Sequence, residues 1–399
     1  MTEGAGGRRL RLGVAGLGRG FMLMLPTLAQ HPQVALVAAA DPREAARRQF
    51  AADFGGRTYA TVAELCRDPG VEAIYVATPH QFHLQHVTEA ARAGKHVLVE
   101  KPMALKLADC RAMVEAARGA GVRLLVGHSH SFDAPYKRAR ELIDEGRFGG
   151  VRMIQALNYT DFLYRPRRPE ELDTAQGGGV VWSQGAHQVD VVRLLGGGRV
   201  RSVRAATGRW DPARPTEGAY SAFLFFEDGA FATLTYSGYA HFDTDEFCGW
   251  VGELGQDRRA RRYGEARAKL RRVRSPVEEA ALKNTRAYGA GPAAPLRTEP
   301  LPHNHFGLVL VSCARADLRP LPGGVMVYDD ENETLAPLPP AHVPRAEVID
   351  ELYDAVVHGR PPVHSGEWGL ATTEVCLAVL RSAAEGREVM VSEQVGLGG

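Results

Sequence analysis

Two side chains suited to proton transfer, Lys101 and His187, stand in distinctive sequence contexts. Lys101 lies in the E-K-P motif at 100–102, directly after the apolar run HVLVE, where an ammonium group can polarise a substrate hydroxyl and stabilise a developing alkoxide. His187 follows the glycine run at 177–179, and Asp190 comes three residues later on the same helix face, where a carboxylate can orient the imidazole. We predict Lys101 and His187 as the catalytic residues. The alternatives are a surface lysine paired with the preceding glutamate and a structural histidine in an apolar helix.

A glycine-rich turn follows the first strand-like run, RLRLGVAG, and carries glycines at positions 16, 18 and 20. Glycine lets the backbone approach a pyrophosphate, whose charge is then held by amides and by the positive end of the following helix. The spacing differs from G-x-G-x-x-G, because Gly20 falls one place early and Phe21 occupies the last glycine position. The turn predicts a dinucleotide site with an incomplete glycine pattern.

A carboxylate at the end of the second apolar run strengthens that prediction. Asp41 follows VALVAAA at the distance where it would accept hydrogen bonds from the adenosine ribose hydroxyls and repel a ribose phosphate. NAD is therefore expected in preference to NADP, and the cation of Arg43 softens that preference. The structural alternative is that Asp41 caps a helix beginning at Pro42, and the two roles are compatible.

Two further segments follow the next strand-like runs: Ala77-Thr78-Pro79 with His83, and the E-K-P motif. Ligands of open parallel sheets bind at the carboxyl ends of the strands, so both segments are expected beside the cofactor. The residues predicted to bind the dinucleotide are Gly16, Gly18, Arg19, Gly20, Phe21, Asp41, Arg43, Thr78, Pro79, His83, Glu100 and Lys101.

The elements that must position these groups differ between the two parts of the chain. Up to about Phe148, short apolar runs alternate with amphipathic stretches, which predicts strand and helix units on a parallel sheet. After Gly149, longer alternating runs predict antiparallel strands and hairpins interrupted by helices. The predicted fold is α/β, with a doubly wound Rossmann domain at 1–148 and an α+β domain with an open, mainly antiparallel sheet at 149–399.

Composition excludes several classes of protein. The chain has 399 residues, a net charge of +1 and 45% hydrophobic residues, the balance of an ordinary globular protein of two domains. Near-neutral charge argues against a nucleic-acid-binding role. No long apolar run or signal peptide is present, so we expect no membrane partner and a cytoplasmic location. Five scattered cysteines indicate buried thiols, with no disulfide framework.

Two H-x-H pairs, His128 with His130 and His303 with His305, would each place both rings on one face of a strand. No carboxylate or cysteine at metal-ligand spacing completes either pair, so no metal site is predicted and substrate contact is the better use. The segment 256–274 is rich in arginine and could meet an anionic partner. Aromatic residues for base stacking are almost absent from it, which favours a solvated helix or loop.

Taken in order, GVAGLGRGF, AAADPR, ATPHQFH, the E-K-P motif and GGGVVWSQGAHQVD resemble the Gfo/Idh/MocA family of nicotinamide-dependent dehydrogenases. The resemblance implies a Rossmann domain followed by an α/β domain whose open sheet often forms oligomer contacts. It also implies that Lys101 and His187 act on the substrate hydroxyl. An aspartate usually stands four residues before that histidine, and Ser183 occupies the position here, which puts a sugar or inositol substrate in doubt.

A narrower resemblance links SQGAHQVDVVRLL and HFGLVLVSCARADLRPLPGGVMVY to the phthalate cis-4,5-dihydrodiol dehydrogenases. It implies loss of hydride from a ring carbon, removal of a hydroxyl proton by a base, and tautomerisation of the ketone to a catechol. A dicarboxylate substrate needs cationic partners, for which an arginine cluster including Arg167 offers candidates, unless it is a solvated loop. The predicted substrate-binding residues are His128, Tyr164, Arg165, Arg168, Ser183, Asp190, His303 and His305.

The expected function is therefore that of an NAD-dependent dehydrogenase in aromatic catabolism. The best candidate reaction converts cis-4,5-dihydroxy-4,5-dihydrophthalate into 4,5-dihydroxyphthalate. A sugar, inositol or polyol dehydrogenase of the same family is one alternative. A catalytically silent NAD-binding regulator is the other, and the retention of both Lys101 and His187 argues against it. The expected partners are a small-molecule substrate and further copies of the chain, as a dimer or tetramer.

Overall fold

The computed structural model describes residues 8–259, 263–291 and 299–397, which form two compact units. The first takes in the chain up to residue 128 and the described parts of 285–298 and 343–369, and the second takes in the remainder. The two units are interleaved in sequence, whereas the prediction from the sequence places one domain boundary between residues 148 and 149. Residues 129–148 lie with the second unit because their helix packs against the helices and strands of that unit.

The first unit is built on a six-stranded parallel sheet in the order β3-β2-β1-β4-β5-β6. Its central strands are buried almost throughout, as expected for a sheet covered on both faces. The order reverses direction between β1 and β4, which creates a crevice at the carboxyl ends of those strands. The strands are β1 (Leu10–Ala15), β2 (Val34–Ala40), β3 (Arg57–Tyr59), β4 (Ala73–Val76), β5 (His96–Val99) and β6 (Leu124–Val126).

The second unit is built on a nine-stranded sheet in the order β14-β13-β12-β11-β7-β10-β9-β8-β15. Strands β7 and β10 run parallel, and the other neighbours are antiparallel. The strands are β7 (Val151–Tyr159), β8 (Val200–Gly208), β9 (Ala219–Phe226), β10 (Phe231–Ser237), β11 (Leu308–Cys313), β12 (Ala316–Leu321), β13 (Gly324–Asp329), β14 (Glu333–Pro337) and β15 (Val389–Met390). The two sheets confirm the predicted α/β class.

The α-helices of the described chain include several that pack against strands of these sheets. None of them is long and apolar enough to cross a membrane, within the residues that the structure describes. Helix α10 belongs to the first unit, so this part of the Rossmann unit lies more than 200 residues after β6 in sequence. The helices are α1 (Arg19–Gln30), α2 (Glu44–Phe54), α3 (Val62–Cys66), α4 (His83–Arg92), α5 (Leu107–Gly119), α6 (Ala134–Asp144), α7 (Ala186–Leu195), α8 (Glu265–Leu270), α9 (Pro276–Asn284), α10 (Ala346–Val357) and α11 (Gly366–Glu385).

Candidate active site

The turn between β1 and α1 has the features of an anion-binding site. Gly16 has φ +92°, and an added Cβ would lie 3.0 Å from the carbonyl carbon of Ala77, so only glycine fits there. Gly18 faces open space, with nothing within 4 Å of an added Cβ. No side chain caps α1 and no acidic residue lies in its first turn, so its amides face outward unopposed. This local structure fits the pyrophosphate of a dinucleotide.

Asp41 lies at the end of β2 and is held by Arg43 and the glycine turn. The Leu17 amide donates to Asp41 Oδ2 at 2.8 Å, and the Arg43 guanidinium donates to both carboxylate oxygens at 3.0 Å. Arg43 also donates to the Leu17 carbonyl at 2.7 Å and to the Tyr288 carbonyl at 3.1 Å. The alternative role of Asp41 as a helix cap is wrong, because α2 begins at Glu44 and Arg43 is its N-cap.

Tyr288 is a part of this site that sequence reasoning missed. Its ring packs edge-on against Phe21 with 5.1 Å between centroids, and its hydroxyl donates to Asp53. The neighbouring Gly289 has φ +72°, and an added Cβ would lie 2.8 Å from Ala46 Cα. The segment thus lies tightly on α2, although it comes more than 200 residues later in the chain. No local pattern indicated this contact.

Glu100 is the centre of a buried polar cluster beside Lys101. The Tyr75 hydroxyl donates to its Oε1, and His128 Nδ1 lies 2.9 Å from the same oxygen. Burial alone would raise the pKa of Glu100, but His128, Tyr75 and Lys101 together hold it below its usual range. Burial, with Arg345 nearby, lowers the pKa of His128. The carboxylate therefore stays ionised next to Lys101.

His83 connects the two segments at the edge of the sheet. Its Nε2 lies 2.9 Å from the Thr78 carbonyl, and its Nδ1 lies 3.1 Å from the Met103 carbonyl. Burial lowers its pKa to about 4. The Thr78 hydroxyl lies 3.0 Å from His86 Nδ1, which further fixes the loop containing Pro79. The buried His83 ring therefore holds the two loops together, and Thr78 and Pro79 lie on their more exposed side.

Three guanidinium groups, those of Arg19, Arg286 and Arg345, influence one another around the start of α1. Desolvation and the charges of Arg286 and Arg345 lower the pKa of Arg19. Arg345 has a left-handed backbone, φ +55°, and donates to the Leu23 carbonyl at 3.0 Å. Such a concentration of positive charge favours an anionic ligand. Only Arg19 of the three was predicted, because the others arrive from distant parts of the chain.

In the second unit, the glycine run at 177–179 makes room for neighbouring residues of the same chain. An added Cβ on Gly178 would lie 2.6 Å from the Glu171 carbonyl carbon, and one on Gly179 would lie 2.0 Å from Glu217 Oε1. Glu217 is buried, accepts from the Val181 amide at 3.2 Å, and has its pKa raised by burial. The Ser183 hydroxyl donates to the Gly179 carbonyl. The run therefore packs the entry to α7 closely against Glu217.

Gly179→Ala is expected to destabilise the protein by about 3 kcal/mol, because it adds a clash with Glu217 to a left-handed backbone. Gly146→Ala is a matched control, since Gly146 has φ +75° and nothing within 4 Å of an added Cβ. The control should cost about 1 kcal/mol. Urea unfolding followed by circular dichroism measures both. Equal losses would show that Glu217 moves aside without cost.

His187 lies on the first turn of α7 against two other rings. Its centroid is 4.9 Å from that of His130 and 5.3 Å from that of Phe306. Asp190, on the same helix, accepts from the Ser131 hydroxyl and, at 2.9 Å, from the Thr372 hydroxyl. These contacts hold α7 in place around His187. Lys101 belongs to the first unit and His187 to the second.

The arginine cluster separates into different roles. Arg167 is buried, donates to the Phe162 carbonyl at 2.6 Å and stacks on the Phe162 ring at 3.5 Å, and burial lowers its pKa to about 10. Arg168 is half-exposed and lies 3.3 Å from Glu170. Arg165 Nε donates to Asp161 Oδ1 at 2.9 Å. The terminal nitrogens of both Arg165 and Arg168 therefore make no hydrogen bond to the described residues, and Arg167 supports the loop.

The remaining predicted side chains lie in different surroundings. Arg267 stacks over the Tyr164 ring at 3.9 Å and donates to the Ala240 carbonyl at 2.9 Å, so part of the arginine-rich segment binds its own unit. Residues 260–262 of that segment lie outside the described residues. His303 Nε2 lies 2.7 Å from the Pro339 carbonyl, whereas His305 Nε2 lies 2.7 Å from the Val251 carbonyl. The expectation that His303 and His305 share one face of a strand is wrong, since both precede β11.

No group of three or more potential metal ligands occurs in the part of the chain that the structure describes. The five cysteines are buried and free, as expected. His128 bonds to Glu100 in the first unit, and His130 bonds to Asp133 at 2.6 Å in the second. Within each H-x-H pair, the two imidazole rings thus contact different partners.

Comparison with protein families gives two matches. Residues 10–128 match the family described as "Oxidoreductase family, NAD-binding Rossmann fold", and residues 136–258 match the GFO/IDH/MocA C-terminal domain. The first match ends at residue 128, where the first described segment of the Rossmann unit also ends. Together they cover the turn after β1, the E-K-P motif and α7.

Relatives of known name agree with this assignment. A Comamonas testosteroni protein named 1-carboxy-3-chloro-3,4-dihydroxycyclohexa-1,5-diene dehydrogenase is 51% identical over 373 residues, which are 93% of this chain and 94% of that protein. Myo-inositol 2-dehydrogenase of Thermotoga maritima is 31% identical over 198 residues, covering 49% of this chain and 58% of that protein.

Solved structures show the same fold. A Bordetella bronchiseptica RB50 protein described as a dehydrogenase has a TM-score of 0.90 at 43% identity, covering 96% of this chain and 100% of that chain. The WlbA dehydrogenase from Bordetella pertussis, solved with NADH and UDP-GlcNAcA, has a TM-score of 0.67 at 21% identity, covering 96% of this chain and 99% of that chain. The second similarity bears on the fold alone. The resemblance inferred from the sequence motifs is thereby confirmed: the chain belongs to the Gfo/Idh/MocA family, as a dehydrogenase with an NAD-binding Rossmann domain.

Proposed function

We propose that this protein oxidises the cis-diol of a carboxylated cyclohexadiene to the corresponding catechol, with NAD as the hydride acceptor. The observation that carries the proposal is the 51% identity, over 93% of the chain, with a dehydrogenase named for a carboxylated cyclohexadiene diol. The first candidate substrate remains cis-4,5-dihydroxy-4,5-dihydrophthalate. Aromatisation of the ring would drive the reaction forward.

The side chains divide the chemistry between them. A bound nicotinamide dinucleotide would accept hydride from the ring carbon that carries the hydroxyl. Lys101 would hold the hydroxyl oxygen by a charge-assisted hydrogen bond, and the ionised Glu100 beside it favours the ammonium form. His187 would take the hydroxyl proton as general base. The Gly16–Gly20 turn, Asp41 and the Thr78-Pro79 loop would bind the dinucleotide.

Arg165 is the proposed partner of the substrate carboxylate. Glu253, Asp161 and Tyr236 hold the pKa of Arg165 above its usual value despite burial, so the group stays charged. Tyr236 stacks 6.2 Å from Phe306, and Phe306 packs against His187, which connects Arg165 to the region of the base within one unit. A guanidinium can bind a carboxylate through two parallel hydrogen bonds. A neutral polyol offers hydroxyl oxygens that can accept hydrogen bonds, but no negative charge to pair with this group.

The preference for NAD follows from the buried carboxylate of Asp41. Asp41 is 5% exposed, and a ribose phosphate placed against it would meet a buried, poorly hydrated carboxyl group. Arg43 is engaged with Asp41, Leu17 and Tyr288 and so is already committed to other acceptors. Both observations support the ribose hydroxyls of NAD as the ligand.

Asp41→Ala is expected to raise the Kd for NAD about tenfold or more, because hydrogen bonds from the ribose to a charged acceptor are lost, and to raise the Kd for NADP less. Isothermal titration with each dinucleotide measures the two constants. Glu44→Ala is the control, since this carboxylate is exposed and pairs with Arg48. Equal weakening of both dinucleotides by Asp41→Ala would exclude a ribose role for Asp41.

We also propose that the open face of the nine-stranded sheet joins copies of the chain. Along β9 and β10, Phe223, Phe225 and Phe231 form one cluster of half-exposed rings, with 4.7 Å and 5.4 Å between neighbouring centroids. Apolar surface of this kind is stabilised when a partner covers it. Sedimentation equilibrium should give a dimer or tetramer, and a monomer at micromolar concentration would contradict the proposal.

The decisive experiment measures NADH formation by the purified protein against a substrate panel. The panel pairs cis-dihydrodiols carrying no, one or two ring carboxylates with inositols and aldoses. We expect turnover that requires a carboxylate and that falls sharply in Arg165→Gln, with Arg168→Gln as the matched control. Turnover of polyols would replace the proposed substrate class with that of the inositol dehydrogenases. Binding of NAD without turnover of any alcohol would favour a silent regulator.

A further inference from the structure

Three rings pack against one another where the proposed base is located: those of His187, His130 and Phe306. The centroids of His130 and His187 are 4.9 Å apart with an interplanar angle of 70°, and the centroids of His130 and Phe306 are 4.8 Å apart. His187 and His130 are each 6% exposed, and Phe306 is 1% exposed. The edge of one imidazole therefore meets the face of the other, and a charge on either ring acts directly on its neighbour.

His130 has a carboxylate on its other side. Its Nδ1 lies 2.6 Å from Asp133 Oδ2, and Asn304 Nδ2 donates to Asp133 Oδ1 at 3.3 Å. Asp133 is the N-cap residue of α6, a position where an aspartate ordinarily accepts hydrogen bonds from the first turn of the helix. Its side chain accepts none of these amides. The Asp133 carboxylate therefore contacts the His130 imidazole and does not cap the helix that follows it.

We propose that the His130–Asp133 pair positions His187 and stabilises its protonated form, which makes His130 and Asp133 further residues of the catalytic apparatus. This inference rests on the proposed function, because it takes His187 as the base. The Asp133 carboxylate accepts a hydrogen bond from the Nδ1–H of His130 and thereby fixes that ring and its tautomer. In the reaction the substrate O–H bond breaks and an N–H bond forms on His187. The pair itself gains no proton, and the Asp133 carboxylate favours the imidazolium of His187.

The other titratable groups around the rings either have hydrogen-bond partners of their own or have pKa values shifted towards the neutral form. Asp190 accepts from Ser131 and Thr372, as described above. Burial raises the pKa of the Tyr136 and Tyr236 hydroxyls well above the ordinary value, and burial lowers the pKa of His305. Within the second unit, Asp133 is thus the carboxylate hydrogen-bonded to the ring that contacts His187.

Asp133→Asn tests the pair, since it removes the charge with little change in size. The readouts are the pH profile of kcat/KM on a carboxylated cis-dihydrodiol and the titration of the His187 imidazole by NMR. A base must be neutral to accept a proton, so activity falls below its pKa. Loss of a stabilising negative charge lowers that pKa. The acid limb and the NMR pKa should both move down by about one unit, and kcat at neutral pH should fall about tenfold.

Three further variants separate charge from packing. Asp133→Glu keeps the charge and should keep the acid limb near its wild-type position. His130→Asn leaves Asp133 in place, provides a second route if Asp133→Asn does not fold, and should lower kcat at least fivefold, an effect smaller than that of a lost base. Asp68→Asn is the matched control, because Asp68 is also buried and hydrogen-bonded, to Arg57 and Tyr59 in the first unit. It should lower the melting temperature without moving the profile.

The outcomes distinguish this inference from the proposed function. If wild-type protein turns over no carboxylated dihydrodiol, the proposed function fails, and the NMR titration of His187 still decides whether the pair acts on that ring. If Asp133→Asn leaves the His187 titration and the acid limb unchanged, the pair is structural and the inference is overturned. Wild-type kcat in His130→Asn would overturn it equally.

Discussion

Replacing His187 with alanine is expected to lower kcat about a hundredfold to ten-thousandfold, while the Kd for NAD stays nearly unchanged. The loss is this large because a positioned general base acts only in the transition state. The NAD affinity is spared because the predicted dinucleotide residues belong to the first unit and His187 to the second. Absorbance of NADH measures kcat, and titration calorimetry measures NAD binding.

Because His187 is buried, replacing it with alanine is also expected to lower the stability of the protein. The side chain is 6% exposed and packs against His130 and Phe306, so alanine leaves a cavity that costs about 1–3 kcal/mol. His187→Gln preserves most of the volume and should lose activity to the same extent. His358→Ala is the control, since that ring is half-exposed and lies 3.9 Å from Asp354. Unaltered turnover in His187→Ala would exclude it as the base.

Lys101→Met is expected to lower kcat about a hundredfold to a thousandfold, because a charge that stabilises the developing alkoxide is lost while the apolar stem remains. KM for the substrate should rise less than kcat falls, since the alkoxide exists only near the transition state. Glu100 also loses a neighbouring positive charge, so its pKa should rise in the variant. Steady-state kinetics with saturating NAD gives both constants.

A structural lysine would behave differently from a catalytic one. Lys101→Met would then lose thermal stability and keep full activity, which a melting curve and one rate measurement distinguish. Lys106→Met is the matched control, because Lys106 is exposed and lies five residues later in the same segment. It should alter neither quantity. Parallel loss of activity in both lysine variants would indicate a general effect on this segment and would contradict the role of Lys101.

Local patterns in the sequence were sufficient for the core of the first unit. Strands β4 and β5 are short apolar runs between helices, and β1 is a similar run before α1; burial on both faces requires that pattern. The E-K-P motif and the turn at Gly16 follow such strands directly. Their position at the carboxyl ends is therefore set by a few bonds of chain, and the prediction of a dinucleotide site depended on nothing more distant.

The meaning of the 177–179 glycines was a different matter. Their composition indicated close approach of something bulky, and the structure shows that the close neighbours are Glu217 and the backbone after Glu171. Similarly, Asp41 is engaged by Arg43 and was not a helix cap, because α2 begins two residues later than Pro42. Composition indicates that space is needed, and only packing identifies what fills it.

The sequence by itself determined the family, the Rossmann sheet and the two proposed catalytic residues, because these depend on runs and spacings of neighbouring residues. Tertiary structure alone decided that Tyr288 lies on Phe21 and Arg43, that Arg345 lies near Arg19 and His128, and that His130 meets His187. These contacts join residues more than 50 positions apart. Their formation depends on how sheets and helices pack. The free energy of that packing comes from residues far apart in sequence, so local sequence patterns do not predict it.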